Sequence, residues 1–436
     1  MYIERIELKN YRGHEHLEVR FARGLSVVAG VNGAGKTSLL HALFEALTQA
    51  VPALPNIFFS GPFSEPGFAW VKVVAPDGRV RFEEQYPVEI DVVGEVYGSR
   101  MNWKVQRTLG HIQLGGSSPN VALQMRALSG TQGTEAQQIQ ALPVVAFYRA
   151  SRAWHVRDTD ALSAAVERNS RGHGYESWAT AGQDAESLQR WVVAKSLERL
   201  QVASESGRVF SKIDNDELGQ ITRALRSALE SFEFIRYDFQ SKKILVDWHD
   251  GDGARRDPVA FEHLSAGQRA VICLIADIAR RMCLLNPHLG DEVISSTEGI
   301  VLIDELDMHL HPEWQRALTR GLTKAFPKVQ FIVASHSPQV IGELPHDHVI
   351  LLTPEGPVNP PGSFGMTSNQ VLQELMSAEV RATPIKERLD EIDEALTRNQ
   401  LDVAEQKIDE LAKDAPEVRE LIGKEALLQR KRTLGR

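Results

Sequence analysis

Residues 24–50 carry the sequence GLSVVAGVNGAGKTSLLHALFEALTQA, and this stretch decides the fold. It begins with an apolar run, GLSVVAG, which is typical of a strand buried in a parallel sheet. Positions 30–37 then fit G-x-x-x-x-G-K-[ST], and helical spacing follows. In this context the glycines let backbone N–H groups face phosphate oxygens, and the helix adds its positive N-terminal end. The stretch therefore predicts a P-loop in an α/β fold.

The side chains of this loop indicate a nucleotide and a magnesium ion as ligands. Lys36 is placed to meet the β- and γ-phosphates, and the Thr37 hydroxyl is placed to ligate Mg²⁺. We therefore expect ATP and Mg²⁺ as cofactors. The nucleotide-binding residues expected from the loop are Asn32, Gly33, Ala34, Gly35, Lys36, Thr37 and Ser38.

Two acids follow another apolar run, IVLI, at residues 300–303. A buried strand would deliver both acids to the carboxyl edge of the sheet, beside the P-loop. Asp304 would then hold Mg²⁺ through water, and Glu305 would orient or deprotonate the attacking water. The alternative is that the acids only mark the solvated end of a strand. Their pairing with a P-loop favours the catalytic interpretation.

Two further motifs fit the same site. The apolar run FIVA ends in Ser335 and His336, and a histidine at this edge favours a γ-phosphate contact over a purely structural role. LSAGQR, residues 264–269, opens an apolar helix with small and hydroxyl residues, which makes a second anion site. One P-loop needs no second phosphate cradle. The motif therefore predicts contact with the nucleotide of another subunit, in a homodimer or higher homo-oligomer.

The order P-loop, LSAGQ, IVLIDELDMHLHP, ASH resembles the ABC-type ATPase heads of the SMC, RecF and OLD group. The resemblance implies that two subunits sandwich two ATP molecules, with Ser265, Gly267 and Gln268 acting in trans. It also implies that residues 306–309 form a dimer-contact loop. The turn at 10–13 is similar to the family's N-[FY]-[RK] turn, which can place Arg12 near the phosphates. For Arg12, a plain surface-loop position is an equal alternative.

Three stretches narrow the resemblance to PtuA-like ATPases of Septu and retron anti-phage modules. They are LPVVAFYRASRAW at 142–154, the long run from Gly299 to Ile341, and LSAGQRAVICLIADIARRMCLLNP at 264–287. In such modules the ATPase accompanies a separate nuclease. The interval between the P-loop and LSAGQ has no heptads, which disfavours an SMC coiled coil. No Toprim or HNH nuclease pattern is visible after His336. We therefore expect a separate effector protein as the partner of this chain, and the expected class of that partner is a nuclease.

Several residues stay open at this stage. No glutamine equivalent to the ABC Q-loop is evident, and Tyr148, Arg149 and Arg152 occupy that region. They either bind nucleotide or only pack and pair. The pair His309 and His311 lacks further ligands at metal spacing, so dimer-loop structure is favoured over metal binding.

The sequence predicts an ABC-type P-loop ATPase head of two lobes, with a helical insert and a C-terminal helical extension. The expected segments are a lobe at 1–150 with the P-loop and β-hairpins, and an insert at 151–232. A second lobe at 233–366 carries the signature, Walker B and His-switch motifs, and the extension spans 367–436. Within the extension, LDEIDEAL and VAEQKIDELA could be the facing stripes of a helical hairpin.

Composition limits the function classes. The net charge of −9 argues against a nucleic-acid-coating surface, although a local basic groove for nucleic acid stays possible. The alternating N-terminus is unlike a signal peptide, and no apolar run is long enough to span a bilayer. We therefore expect a cytoplasmic ATPase without a membrane partner. A RecF-like clamp on DNA and an ATP-binding scaffold with little turnover are the alternatives to an effector-controlling ATPase.

Overall fold

The computed structural model divides into two compact units, Met1–Thr367 and Ser368–Arg436. It describes most of the chain, namely residues 1–48, 71–74, 80–96, 98–109, 112–115, 141–152, 154, 170–183, 185–207, 209–210, 213–250, 253–376 and 383–434. Most of the predicted insert at 151–232 is described, while residues 153, 155–169, 184, 208 and 211–212 lie outside the described ranges.

The strands of the described chain all lie in the first unit. They are β1 Tyr2–Tyr11, β2 His14–Arg20, β3 Leu25–Ala29, β4 Val71–Val74, β5 Val80–Glu83, β6 Val88–Val96, β7 Ser99–Arg107, β8 Ile112–Gly115, β9 Val144–Tyr148, β10 Phe232–Asp238, β11 Lys243–Trp248, β12 Val259–Ala260, β13 Gly299–Ile303, β14 Val329–Ala334, β15 Val349–Thr353 and β16 Gly356–Val358.

The α-helices occur in both units. They are α1 Lys36–Leu47, α2 Glu186–Ser206, α3 Glu217–Ala228, α4 Ala266–Leu285, α5 Val293–Ser296, α6 Pro312–Ala325, α7 Pro338–Gly342, α8 Ser368–Gln370, α9 Thr383–Thr397, α10 Leu401–Asp414 and α11 Glu420–Leu434. Short 3₁₀ turns at Arg171–Tyr175 and Trp178–Thr180 lie in the insert.

A six-stranded sheet with the order β16-β15-β3-β14-β13-β9 forms the centre of the first unit. All of its neighbouring strands are parallel except the β15–β16 pair. Every residue of β3, β9, β13 and β14 is buried, as expected of a parallel sheet covered on both faces. This order confirms the α/β P-loop fold class. The β15–β16 hairpin was not predicted from the sequence.

A second, antiparallel sheet with the order β2-β1-β6-β7-β8 is joined to the central sheet through one buried amide. The Gln330 side chain in β14 accepts from the Ile3 backbone N–H at 2.7 Å, and it donates to the carbonyls of Ile3 and Ala22 at 2.8 Å each. Because all three backbone groups are satisfied by one side chain, β1 is held against β14 without an exposed polar gap.

Residues 383–434 of the second unit form three helices, α9, α10 and α11, where a two-helix hairpin was expected. The predicted stripes do face each other, since Ile392 of α9 packs in one core with Ala404 and Ile408 of α10. A third helix, α11, adds Leu428 to this core. Pro416 follows the end of α10 and cannot continue a helix, which separates the last helix from the predicted pair. Within the described residues, none of the helices is long and apolar enough to cross a bilayer.

Candidate nucleotide-binding site

The strands of the central sheet bring the predicted residues to one edge. Ile303, the last residue of β13, pairs with Tyr148 of β9 and Val333 of β14. The backbone then continues this pairing, because the Asp304 N–H donates to the Tyr148 carbonyl at 2.8 Å. Two polar segments that are far apart in sequence, at residues 304–307 and 335–337, thereby come close to the loop after β3.

The P-loop depends on glycine at its first and last positions. A Cβ on Gly30 would lie 2.8 Å from the Leu352 carbonyl oxygen of β15, closer than a real Cβ contact. Gly35 caps α1 with φ 91°, a left-handed conformation that glycine adopts most readily. These two constraints explain why the loop begins and ends at glycine.

Lys36 closes the loop from inside. Its Nζ donates to the carbonyls of Gly30 at 2.9 Å and Val31 at 3.0 Å, and the residue is only 6% exposed. Burial lowers its pKa, and Asp304, Glu305 and Asp307 oppose this shift. An incoming phosphate could therefore replace the two carbonyls as the partner of an ammonium group that is already in place.

Thr37 and Asp304 form the pair expected at a magnesium site. The Thr37 hydroxyl donates to Asp304 Oδ1 at 3.3 Å, and Asp304 is 4% exposed. Burial raises the pKa of Asp304, whereas the Thr37 hydrogen bond and Arg152 lower it. Mg²⁺ prefers oxygen donors and keeps water and phosphate ligands, so one hydroxyl and one carboxylate fit it.

A metal site at His309 and His311 gains no support. Across the described ranges, no group of three or more His, Cys, Asp or Glu side chains could hold a metal ion. His309 instead lies in the loop after Glu305, where a Cβ on Gly267 would come 2.7 Å from its carbonyl oxygen. The loop after the acids therefore packs against the start of α4, which carries the LSAGQ motif.

Glu305 and His336 lie beside the buried pair. Glu305 is half-buried and has a φ of 51°, which is unusual for a residue with a side chain. His336 is half-buried, and burial together with Lys36 lowers its pKa against the opposing effect of Asp307, Glu305 and Asp304. Both effects favour the neutral imidazole, in which one ring nitrogen donates a hydrogen bond and the other accepts one.

One contact that sequence reasoning missed joins the loops carrying these two residues. The buried Ser335 hydroxyl donates to Asp307 Oδ1 at 2.6 Å and accepts from the Ser337 N–H at 3.0 Å. The Leu306 N–H also donates to the Ala334 carbonyl at 3.0 Å. Glu305 and His336 are therefore held on linked loops. The only sequence signal for this contact is the serine directly before the histidine.

The LSAGQ motif starts α4 as an exposed cap. Ser265 Oγ accepts from the Gln268 N–H at 3.2 Å, and Gln268 Oε1 accepts from the Ser265 N–H at 3.0 Å. This reciprocal capping box satisfies two backbone donors of the first turn. Ser265 and Ala266 are both exposed, so the start of α4 is accessible on the surface of a single chain.

The turn between β1 and β2 contacts the P-loop, through a residue that sequence reasoning did not select. A Cβ on Gly35 would lie 2.2 Å from His14 Nε2, so the imidazole sits directly against this glycine. Burial lowers the pKa of His14, and the Gly35 backbone opposes the shift. Arg12, in the same turn, has φ 50° and its guanidinium lies 5.7 Å from the Tyr11 ring centroid. Arg12 near phosphate remains a prediction.

The aromatic and arginine set, Tyr148, Arg149 and Arg152, makes its contacts with other groups of the protein. The fully buried Tyr148 donates its hydroxyl to Asp277 Oδ2 of α4 at 2.8 Å. The Arg149 guanidinium lies 5.6 Å from the Phe44 ring centroid and 5.4 Å from that of Phe147. Arg152 donates to backbone carbonyls of Asp304 and Glu305. These contacts favour packing and pairing over direct nucleotide binding.

Fold and site together define a P-loop ATPase. The chain belongs to the AAA_23 family, described as an AAA domain, whose model matches residues 5–246. A second model, AAA_21, matches residues 208–342 and carries the description "AAA domain, putative AbiEii toxin, Type IV TA system".

Individual relatives carry retron and Septu names. The chain is 26% identical to "Retron Ec83 probable ATPase" from Escherichia coli, over 86% of this chain and 76% of that protein. It is 21% identical to "Septu protein PtuA" from Bacillus thuringiensis, over 88% and 86% respectively. By structure it aligns with the SMC head domain from Thermotoga maritima, with 14% identity and a TM-score of 0.39, over 81% of this chain and 95% of that one. The sequence relatives confirm the resemblance to retron and Septu ATPases.

The contact between His14 and Gly35 predicts unequal effects of alanine at two loop glycines. Gly33 and Gly35 both have a left-handed φ, so alanine at either costs about 1–2 kcal/mol. A Cβ on Gly33 meets nothing within 4 Å, whereas one on Gly35 overlaps the imidazole. Gly35→Ala should therefore lower the free energy of unfolding by a further ~1–3 kcal/mol.

Urea unfolding of the single variants and of a double variant with His14→Ala measures this difference. Removing the ring should recover most of the extra loss at Gly35 and nothing at Gly33. Equal losses at the two glycines, with no recovery in the double variant, would show that the ring does not restrict the loop.

Proposed function

We propose that this chain is an ATPase subunit that binds Mg–ATP, pairs with a second copy around the nucleotide, and controls a separate effector in an anti-phage complex. One observation carries the ATPase part of this proposal. Lys36, Thr37, Asp304, Glu305 and His336 converge at one edge of a buried parallel sheet, beside a glycine loop that opens a helix.

Each residue has a distinct task in hydrolysis. Lys36 and the loop N–H groups would neutralise phosphate charge, which is the main contribution of such sites to phosphoryl transfer. Thr37 and Asp304 would hold Mg²⁺, which supplies charge neutralisation between the phosphates when bound. Glu305 would accept a proton from the attacking water, and the neutral His336 would hydrogen-bond the γ-phosphate.

The pairing part of the proposal rests on α4. Its exposed N-terminal turn offers backbone N–H groups and the Ser265 hydroxyl to an anion outside the chain. Gly267 packs against the His309 carbonyl, so this turn and the loop after Glu305 form one surface. Loss of the γ-phosphate after hydrolysis would remove the bridge between subunits and allow them to separate.

The effector part of the proposal rests on the relatives. They carry retron and Septu names, and the resemblance implies that a separate nuclease accompanies such an ATPase. A nuclease is therefore the partner class that we propose. Nucleic acid as a direct ligand is the outcome that would instead favour the RecF-like alternative.

Hydrolysis should depend on Glu305 and Lys36 in different ways. Glu305→Gln keeps the shape of the side chain and removes the base, so turnover should fall by about 10²-fold or more while ATP still binds. Lys36→Ala should abolish hydrolysis, because the phosphates lose their buried cation. Phosphate release and binding of a fluorescent ATP analogue measure both effects.

Glu313→Gln, an exposed acid in the first turn of α6, is the matched control and should leave turnover unchanged. A normal rate in Glu305→Gln would mean that another group activates water. Normal turnover in Lys36→Ala would remove the P-loop assignment.

ATP-dependent pairing should depend on Ser265. Ser265→Arg places a long side chain on the exposed turn, so it should prevent pairing of Glu305→Gln chains while single chains still bind ATP. Analytical ultracentrifugation with and without Mg–ATP measures pairing. Ser295→Arg, at another exposed serine, is the control and should pair normally. Pairing that survives at Ser265→Arg would contradict the role of this turn in trans.

The effector is identified by purifying tagged Glu305→Gln protein from its native host with Mg–ATP present. A stoichiometric protein with nuclease activity is expected, and its amount should change in Lys36→Ala protein because nucleotide is no longer held. Mass spectrometry and nuclease digestion identify what co-purifies. Nucleic acid without a protein partner would overturn the effector proposal in favour of a DNA clamp.

A further inference from the structure

We infer that Arg152 is a positioning residue for catalysis, because its guanidinium fixes the backbone on both sides of Glu305. The inference rests on the proposed role of Glu305 as the group that activates water. It assigns a function to an arginine that the sequence motif left open between nucleotide binding and packing.

The contacts of Arg152 are made to main-chain oxygens. Its Nη1 donates to the Asp304 carbonyl at 2.5 Å and to the Arg149 carbonyl at 3.2 Å, and its Nη2 donates to the Glu305 carbonyl at 2.7 Å. The residue is only 7% exposed. A charged donor to a carbonyl forms a stronger hydrogen bond than a neutral one, and this guanidinium forms such bonds to two successive carbonyls.

These two carbonyls define the conformation of Glu305. The Asp304 carbonyl belongs to the peptide plane before the Glu305 Cα, and the Glu305 carbonyl belongs to the plane after it. The two planes around a Cα fix its φ and ψ angles. One rigid, planar guanidinium that binds both oxygens therefore sets both angles and, with them, the direction of the Cα–Cβ bond.

Glu305 needs such support because its backbone is strained. Its φ of 51° lies in the left-handed region, which costs a residue with a side chain free energy and persists only where neighbours enforce it. The Met308 N–H also donates to the Glu305 carbonyl, at 3.1 Å, and so holds the turn from the other side. Without Arg152, the peptide plane before Glu305 loses its guanidinium partner and the strained conformation loses one of its supports.

Arg152 is itself held by the insert. Its N–H donates to the Arg149 carbonyl at 3.1 Å, and Arg149 Nε donates to the Ala179 carbonyl at 3.1 Å. Trp154 follows, and a Cβ on Gly182 would lie 2.8 Å from its ring. The arginine therefore projects from a turn that is packed against residues 178–182, which connects the geometry of Glu305 to the insert.

The Arg152 guanidinium also lies near the carboxylates of the site. Burial lowers its pKa, and the carboxylates of Asp304, Glu305 and Asp307 oppose this effect. The guanidinium thus lies close to the acids of the site while it binds their backbone. Arg152 acts through Glu305 and not on the nucleotide itself, so its loss should change the rate of the chemical step and not ATP affinity.

The test compares Arg152→Ala with Arg226→Ala in the full chain. Arg152→Ala should lower kcat by about 10- to 100-fold, the scale reached when a reacting group is misplaced by about 1 Å. KM and the Kd for a fluorescent ATP analogue should stay within about twofold of wild type. Arg226→Ala also removes a guanidinium that donates to a main-chain carbonyl, that of Glu233 at 2.7 Å, but this bond joins α3 to β10 and not to Glu305, so its kcat should stay near wild type.

Two further measurements separate positioning from a merely structural role. Guanidinium chloride at a concentration that leaves the folded fraction unchanged should restore part of kcat in Arg152→Ala and none in Glu305→Gln. Arg152→Lys should give an intermediate rate, since an ammonium group cannot bind two carbonyls with the same rigid spacing. The melting temperature of each variant is recorded in parallel.

The outcomes are separable from those of the proposed function. Normal turnover in Glu305→Gln would remove the water-activating role on which the inference rests. A slow Glu305→Gln together with a normal Arg152→Ala would overturn the inference alone. Loss of ATP affinity in proportion to kcat, or loss of activity that guanidinium does not restore and that follows the melting temperature, would also overturn it.

Discussion

A strand that is buried on both faces places its charged groups beyond its ends, and this constraint governs the whole site. Strands β3, β9, β13 and β14 are buried along their whole length, contain no charged residue and are parallel to one another, so polar and charged residues follow all four at one edge of the sheet. The groups released there are themselves largely withdrawn from water. Lys36 is only 6% exposed and Asp304 only 4%, so neighbouring protein groups must stabilise these charges in place of water. An added phosphate therefore meets charges that are already desolvated and oriented.

The same edge is tied to the LSAGQ helix by a buried ionic network. Tyr148 at the end of β9 binds Asp277 of α4, and the same carboxylate pairs with Arg280 and Arg281. The two arginines hold the pKa of Asp277 well below its usual range, despite the opposing effect of burial. Breaking a buried network of this kind typically costs about 3–5 kcal/mol, because it leaves a charge unpaired. α4 therefore cannot shift relative to β9 without a large penalty, and the start of α4 keeps a fixed position relative to the strand beside the acids.

The sequence allowed the position of a residue to be predicted where a local motif, such as an apolar strand followed by a polar residue, marks that position. The P-loop, the acids after β13 and the histidine after β14 each follow an apolar strand, and the parallel sheet brings them together as expected. The alignment of one side chain with a distant backbone group has no such local pattern. His14 on Gly35, Gln330 on Ile3 and Arg152 on the Asp304 carbonyl all join residues far apart in sequence. Residue type alone does not encode these partners. The helix α11 was not predicted, because the apolar faces of α9 and α10 already account for each other's burial.

The position of β3 in the sheet has a consequence for synthesis of the chain. Its neighbours are β14 and β15, so the strand before the P-loop pairs on both sides only with segments translated after residue 328. At synthesis rates of about 5–20 residues per second, its five buried residues wait roughly 15–60 s for both partners. An apolar strand with two open edges is prone to aggregate during that time. The sheet around the nucleotide site therefore cannot be completed until β15 has been translated, although its loop is made first.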